Sequence, residues 1–301
     1  MALTINTNMA SMLVQRNMTA STNALNQAIQ RMTTGYRINS AKDDAAGMAV
    51  SIKLSTDLGA YDVASQNVQM GSALLTTAEE NDNLVLGHLQ RIRDLAEQAA
   101  NGVYDSSSTS AIADEIDARI AEINRLTKSV EFNGIKLMDG TTGAIKIQVG
   151  IKGGTEDAID ISTALFRGGA NTSSSTNGTN MLGATYGNPT EGANSGGKKI
   201  VAAAASTVAA TKKEVFDQID DAVKNVKNKI TAIGSYQNRL ESAAESIEVA
   251  RSNVSSALST VRDADVSTES SNYIKAQILQ QAAASLLTTA NQTPSIALNL
   301  I

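Results

Sequence analysis

Apolar residues recur at every seventh position from Ile219 to Val261, through Val226, Ile233, Leu240, Ile247 and Val254. Val223, Ile230, Ala244 and Leu258 fall between them, with Gln237 and Arg251 as polar breaks. Such a seam keeps one stripe on one side of a helix and demands a partner along its whole length. The stretch "TKKE" (Thr211 to Glu214) has capping-box spacing and marks the expected start. A helix from about 212 to about 262 would be roughly 75 Å long. That length predicts a rod.

The first half of the chain supplies partners. Ala64, Gly71, Ala78, Val85, Ile92 and Ala99 are also seven apart, with Val68, Leu75, Leu89 and Ala96 between them and Asp82 as the polar exception. A shorter helix carries Ile112, Ile116, Ile120, Ile123 and Leu126, after a loop read from "NGVYDSSST". Three such stripes make a bundle. The period then changes to two: Ile145, Ile147, Val149 and Ile151 alternate, "LMDGTTG" before them reads as a hairpin turn, and "AIDI" reads as a further strand. The expected architecture is mainly α: an elongated helical bundle or coiled-coil rod with a small β-hairpin element at one end, plus paired N- and C-terminal helices. Residues 168–198 are Gly, Asn, Ser and Thr with few apolar residues, and read as an exposed variable loop. Sequons at Asn171 and Asn177 within it are too common a pattern to carry weight.

Composition narrows the function. Only 3% of the 301 residues are aromatic against 42% hydrophobic, so the core is aliphatic and suits packed helices rather than a ring-lined pocket. A net charge of −5 argues against nucleic acid as partner. Without cysteine there is no disulfide, thiol nucleophile or thiolate metal site. No run of 18 apolar residues occurs, so no membrane insertion is expected. The start, "MALTINTNMASMLVQRNM", has no continuous apolar signal core and is interrupted by Arg16, which predicts a route without a cleaved signal peptide. Prolines occur only at 189 and 294, leaving residues 1–188 free to form long helices.

The two termini carry further stripes. Val14, Met18, Leu25, Ile29 and Met32 lie on one face of an N-terminal helix. Ile278, Leu279, Ala282 and Leu286 form a stripe in "QILQQAAASLLTTANQ" and are expected to pair with it. Two such helices still cover only one face each, so the stripes predict assembly with further copies.

Between the first helix and the rod stands "RINSAKDDAAG". Gly35 is a stop signal, Ser40 and Asp43 have capping-box-like spacing, and Asp43 and Asp44 are expected in a first helical turn. The residues Arg37, Asn39, Ser40, Lys42, Asp43 and Asp44 read as a charged hinge held by ion pairs and caps. A metal or acid–base site is the competing reading, and it lacks a histidine or second acidic cluster nearby. His88 is the only histidine, "GGTED" (153–157) has no following helix to hold phosphate, and no metalloprotease, nucleophile-elbow or phosphate-loop motif occurs. The chain is therefore read as no enzyme, with no cofactor.

"RINSAKDDAAG" followed far downstream by "KAQILQQAAASLLTTANQ" resembles bacterial flagellin. "INTN" (5–8), "LQRIRDLAEQAANG" (89–102), "FNGIKLMDG" (132–140) and "IQVG" (147–150) fit the same family in order, and the reduced central region resembles nothing in particular. "MTTG" departs from the Ser pair many flagellins carry before the glycine, and Ala283 stands where a glycine often does.

The resemblance implies a division of labour. Residues 1–43 with 262–301 would form a terminal coiled-coil inner core including the hinge. Residues 44–167 with 199–261 would form the helical rod with its β element. It implies an extracellular homopolymer of the flagellar filament, exported by the flagellar type III route and transmitting motor torque. It also implies largely disordered termini in the free subunit, and an export chaperone, hook-associated proteins and a cap as partners. Matching the family's motif, Gln90, Arg91, Leu95 and Gln98, with Glu115 of "DEIDARI", would be recognised by Toll-like receptor five. A hook–filament junction protein, or another type III secreted coiled-coil protein, is the alternative reading.

Overall fold

The structure is a computed structural model that describes residues 8–138, 142–161, 165, 200–202, 204–205 and 209–298. The variable stretch 168–198 lies outside the described residues, as does the middle of "LMDGTTG". Among the described residues, five long helices carry the fold: α1 (Met9–Thr34), α2 (Ala45–Ala99), α3 (Ser106–Ser129), α4 (Ala209–Arg262) and α5 (Val266–Leu298). Four short strands lie between α3 and α4: β1 (Glu131–Phe132), β2 (Ile135–Lys136), β3 (Ile145–Gln148) and β4 (Ala158–Ile161). The chain forms two compact units, one of Met1–Gly59 with Arg251–Ile301 and one of Ala60–Ala250.

In the unit of Ala60–Ala250, the predicted seams are the core. Ile219, Val226, Ile233, Leu240 and Ile247 of α4 are buried, as are Ala64, Val68, Leu75, Ala78, Val85, Leu89, Ile92, Ala96 and Ala99 of α2. Helix α4 is already running at Ala209, so Thr211 lies inside it and "TKKE" is not its cap. Helix α3 starts at Ser106 with Asp105 as cap, whose side chain accepts from Ser108 N at 2.8 Å. Hydrogen bonding from the Ser108 side chain, and then from its backbone N–H, holds the Asp105 carboxyl below the usual range. The serines of "NGVYDSSST" are therefore helix, not loop.

The core falls into two blocks. In one, Ile112, Ile116 and Ile123 of α3 pack with Leu89 and Ile92 of α2 and Val215 and Ile219 of α4, and Ile200, Val201 and Ala204 join them. In the other, Ile147, Ile159 and Ile161 of the strands take the third place, against Leu75 of α2 and Ile233 and Leu240 of α4. The β element is thus a structural layer of half the unit, and not a decoration at one end of a three-helix bundle. A short helix can cover only part of two long ones, so the remaining seam needs another apolar lid. Strands β3 and β4 are antiparallel with Ile147 opposite Ile159, which puts both on the helix-facing side. Gly71 makes this possible: a Cβ there would collide with Ile147 Cδ1. The other pair, β1 and β2, turns through Asn133 and Gly134, both at positive φ. This is the Asn-Gly hairpin signal.

In the unit of Met1–Gly59 with Arg251–Ile301, α1 lies antiparallel on α5. The register is set by Asn8 Nδ2 donating to Ala290 O at 2.8 Å, Gln280 Nε2 to Thr22 Oγ1 at 3.1 Å, and Arg31 Nη1 to Glu269 Oε1 at 3.0 Å. Arg31 closes the C-terminal end of α1 and Glu269 opens the N-terminal end of α5, so each charge also suits its helix dipole.

Candidate functional site

The sequence singles out three regions of the surface. The first is the helix pair. On α1, Ser11, Val14, Met18, Ser21, Leu25 and Ala28 turn toward α5, at alternating steps of three and four. On α5 the facing set is Glu269, Tyr273, Ala276, Gln280, Ala283, Leu287 and Ala290, again at steps of four and three. The predicted stripe therefore divides. Val14, Met18 and Leu25 lie in the seam, whereas Ile29 and Met32 are exposed.

The expected pairing through Ile278, Leu279, Ala282 and Leu286 does not occur. Ile278, Leu279 and Leu286 are 59%, 49% and 58% exposed, and Ala282 is exposed as well. Alanines at 276, 283 and 290 occupy the seam instead, because small side chains let two helix backbones approach and pack closely. The large residues are left on the outside of α5, where Ile274, Lys275, Ile278 and Leu279 line a shallow depression with Ser271. Met9, Met12 and Leu13 are exposed on α1. No helix among the described residues is long and apolar enough to cross a membrane.

The second region is the hinge. Gly35 caps α1 in the left-handed conformation at φ 73°. The chain then pairs with the end of α4: Tyr36 bridges Asp263, Arg37 N donates to Arg262 O at 2.7 Å, and Ala264 N donates to Gly35 O at 2.8 Å. Arg37 Nη2 donates to Val261 O at 2.7 Å, and the Arg262 guanidinium stacks 3.7 Å from the Tyr36 ring centre. Ile38 is buried beside this clasp.

Asp43 and Asp44 precede α2 rather than lying in its first turn. Asp43 Oδ2 accepts from Ser40 N at 3.0 Å, from Ser40 Oγ at 3.1 Å and from Asn39 N at 3.2 Å. These bonds to its charged form lower its pKa, with a smaller pull from Arg31. Asp44 Oδ1 accepts from Gly47 N at 2.9 Å and so caps α2. Lys42 is exposed. The two carboxylates are each turned inward to local N–H groups, an arrangement that fixes a turn. Tyr36 and Arg262 escape the sequence reading, because their partners are more than 200 residues away and no local pattern announces a long-range bridge.

The third region is on α2 and α3. Gln90, Arg91 and Gln98 are exposed, and Arg91 Nε donates to Glu115 Oε1 at 3.1 Å across the two helices. Arg119 adds a second contact to Glu115 at 3.5 Å, and Gln98 Nε2 donates to Tyr104 Oη at 3.0 Å. Beside them Arg93 Nε donates to Asp220 Oδ1 at 2.7 Å, a bond that raises the Arg93 pKa. Leu95 does not join this surface. It is 1% exposed and belongs to the core block with Leu89, Ile92 and Ala96. In a helix Leu95 follows Ile92 and Ala99 around one face, while Arg91 and Gln98 lie seven apart on another.

Comparison with known proteins shows the family. Residues 5–142 match the family described as bacterial flagellin N-terminal helical region, and residues 216–301 match the bacterial flagellin C-terminal helical region. The chain is 31% identical over 297 residues to a flagellin of Halalkalibacterium halodurans, covering 99% of both chains. This chain belongs to the bacterial flagellins. It is 30% identical to Flagellin B of Vibrio cholerae, with all of both chains covered in an alignment of 376 residues, so this flagellin has the shorter central region. A putative flagellar hook-associated protein from Vibrio parahaemolyticus shares the fold, with a TM-score of 0.56 at 17% identity over 73% of this chain and all of that one. A flagellin is a structural subunit of the extracellular flagellar filament and serves motility, and that is the function of this chain.

Proposed function

We propose that the face of the α1–α5 pair bearing Ile278, Leu279 and Leu286, with Met9, Met12 and Leu13, is where neighbouring subunits seat in the filament. The observation that carries this is the division of α5 into an alanine face, consumed by α1, and a large apolar face left in solvent. Contacts that do not close on themselves give open helical polymers. Copies joined along such a face transmit torque, with residues 1–43 and 262–301 as the inner-core domain and residues 44–167 and 199–261 as the rod domain.

The same face explains the remaining partners. Before assembly it needs cover, which an export chaperone supplies during passage by the flagellar type III route. At the ends of an open polymer it stays unsatisfied, which gives hook-associated and cap proteins their surface. Helices that bury one side only are marginal alone, so part of the assembly energy orders the termini. Deleting residues 278–301 tests this reading. The unit of Ala60–Ala250 should keep its helical signal and cooperative melting, while polymerisation fails. Filaments of ordinary stability from the shortened chain would refute it.

The Arg91–Glu115 patch with Gln90 and Gln98 supports a second role, recognition by Toll-like receptor five. Its side chains are exposed, and the helices that bear them are held by the core block beneath, with Leu95 acting as support from inside. A partner meeting this patch finds a preformed polar surface.

A further inference from the structure

The core of the unit Ala60–Ala250 is interrupted. Val85, Leu89 and Val226 belong to one apolar block, and Leu75, Ala78 and Ile233 belong to the other. The gap on α2 is filled by Asn81 and Asp82, and the gap on α4 contains Lys229. Asp82 stands where the run Leu75, Leu89 and Ala96 calls for an apolar side chain, and it is 2% exposed. Its Oδ2 is buried with no hydrogen-bond partner. Asn81 Nδ2 faces Met138 Sδ at 2.7 Å, and a thioether is a weak acceptor.

The charge acting on Asp82 across the helices is Lys229, itself desolvated so that its pKa is lowered. Among the described residues, the other charged groups of the packed elements are paired or exposed. Glu79 of α2 accepts from Gln237 Nε2 at 2.9 Å, and Glu80 is exposed. On α3, Glu122 and Arg125 engage each other and Lys128 is exposed. On the hairpin, Glu131 and Lys136 pair at 3.2 Å.

We propose that the Asp82–Lys229 layer is a proton-sensitive joint, at which the two core blocks are held together more firmly when Asp82 is protonated than when it is charged. A neutral acid is compatible with apolar neighbours, whereas a carboxylate with one cationic partner and an unfilled oxygen is under-compensated. Desolvation raises the Asp82 pKa to about 6, against a downward pull from Lys229. An aspartate carboxyl in an unfolded chain titrates at about 3.9. Between those values the folded state binds the proton and the unfolded state does not. Stability from this group is therefore present at the acid end of the window and lost as pH rises through about 6.

The test uses the full chain. The 13C carboxyl resonance of Asp82 should titrate with a midpoint near 6, and Lys229→Met should move that midpoint up. Asp82→Asn should abolish a change in the unfolding equilibrium constant on the order of a hundredfold between about pH 4 and pH 7.5, the ratio set by the two pKa values. A midpoint of about 3.9, or the same pH dependence in Asp82→Asn as in the parent chain, would overturn the proposal and leave the layer a register mark only. Should Asp82→Asn not fold, the carboxyl titration of the parent chain decides by itself.

Discussion

Leu286→Ala separates what α5 does within the chain from what it does between chains. Leu286 is 58% exposed and faces away from α1, while its neighbour Leu287 is half-buried in the seam with Ala283. Truncating Leu286 therefore removes no contact that holds α1 to α5. Burying a whole leucine side chain stabilises by about 1.5–3 kcal/mol. The surface still open at Leu286 is about three-fifths of the residue, which leaves about 0.9–1.7 kcal/mol to be gained per subunit on assembly. At an RT of about 0.59 kcal/mol, the critical concentration for polymerisation should rise about 5- to 18-fold. The assay is sedimentation of polymer over a concentration series in salt, with circular dichroism on the free subunit as control. An unchanged critical concentration would refute the reasoning. So would any loss of helix in the free subunit, because Leu286 would then be acting inside the chain.

Ala283→Leu overfills the α1–α5 seam and should cost about 1–3 kcal/mol, read as a lower melting temperature of the assembled filament. Asp44→Ala removes the bond to Gly47 N and should destabilise the start of α2 by about 0.5–2 kcal/mol, read as faster amide exchange at residues 45–48. Arg91→Ala removes an exposed ion pair worth about 0–1 kcal/mol, so global stability should hold while signalling through Toll-like receptor five weakens. Unchanged signalling together with unchanged assembly would remove the case for that patch.

The long seams were readable because a helix presents its side chains in a fixed order, and burial follows that order with little help from context. Ile219 to Ile247 and Ala64 to Ala99 sit in the core where their spacing placed them. The alternation in Ile145 and Ile147 and in "AIDI" likewise announced strands, and the two pair as β3 and β4. The start of α4 was misread because a capping-box pattern inside a helix looks the same as one at its end, and only the residues upstream decide. Leu95 was carried to the surface by a motif that names residues without naming the helix face they occupy. The hinge carboxylates were legible as caps, but their clasp to residues 261–264 was not, since nothing local encodes a partner from the far end of the chain.

What periodicity determines by itself is that this chain is helical, that its helices need partners along their length, and that both termini carry apolar surface beyond what two helices can cover. What only the tertiary structure decides is which face each helix spends on which neighbour. Ile278 and Leu286 are greasier than Ala276 and Ala283, yet the alanines hold α1, because close packing rewards the approach of two backbones more than the size of any one side chain. The larger residues are thereby left for other molecules. In the same way a sequence shows Asp82 only as a flaw in a heptad, and the fold alone sets it opposite Lys229 at the joint between two cores.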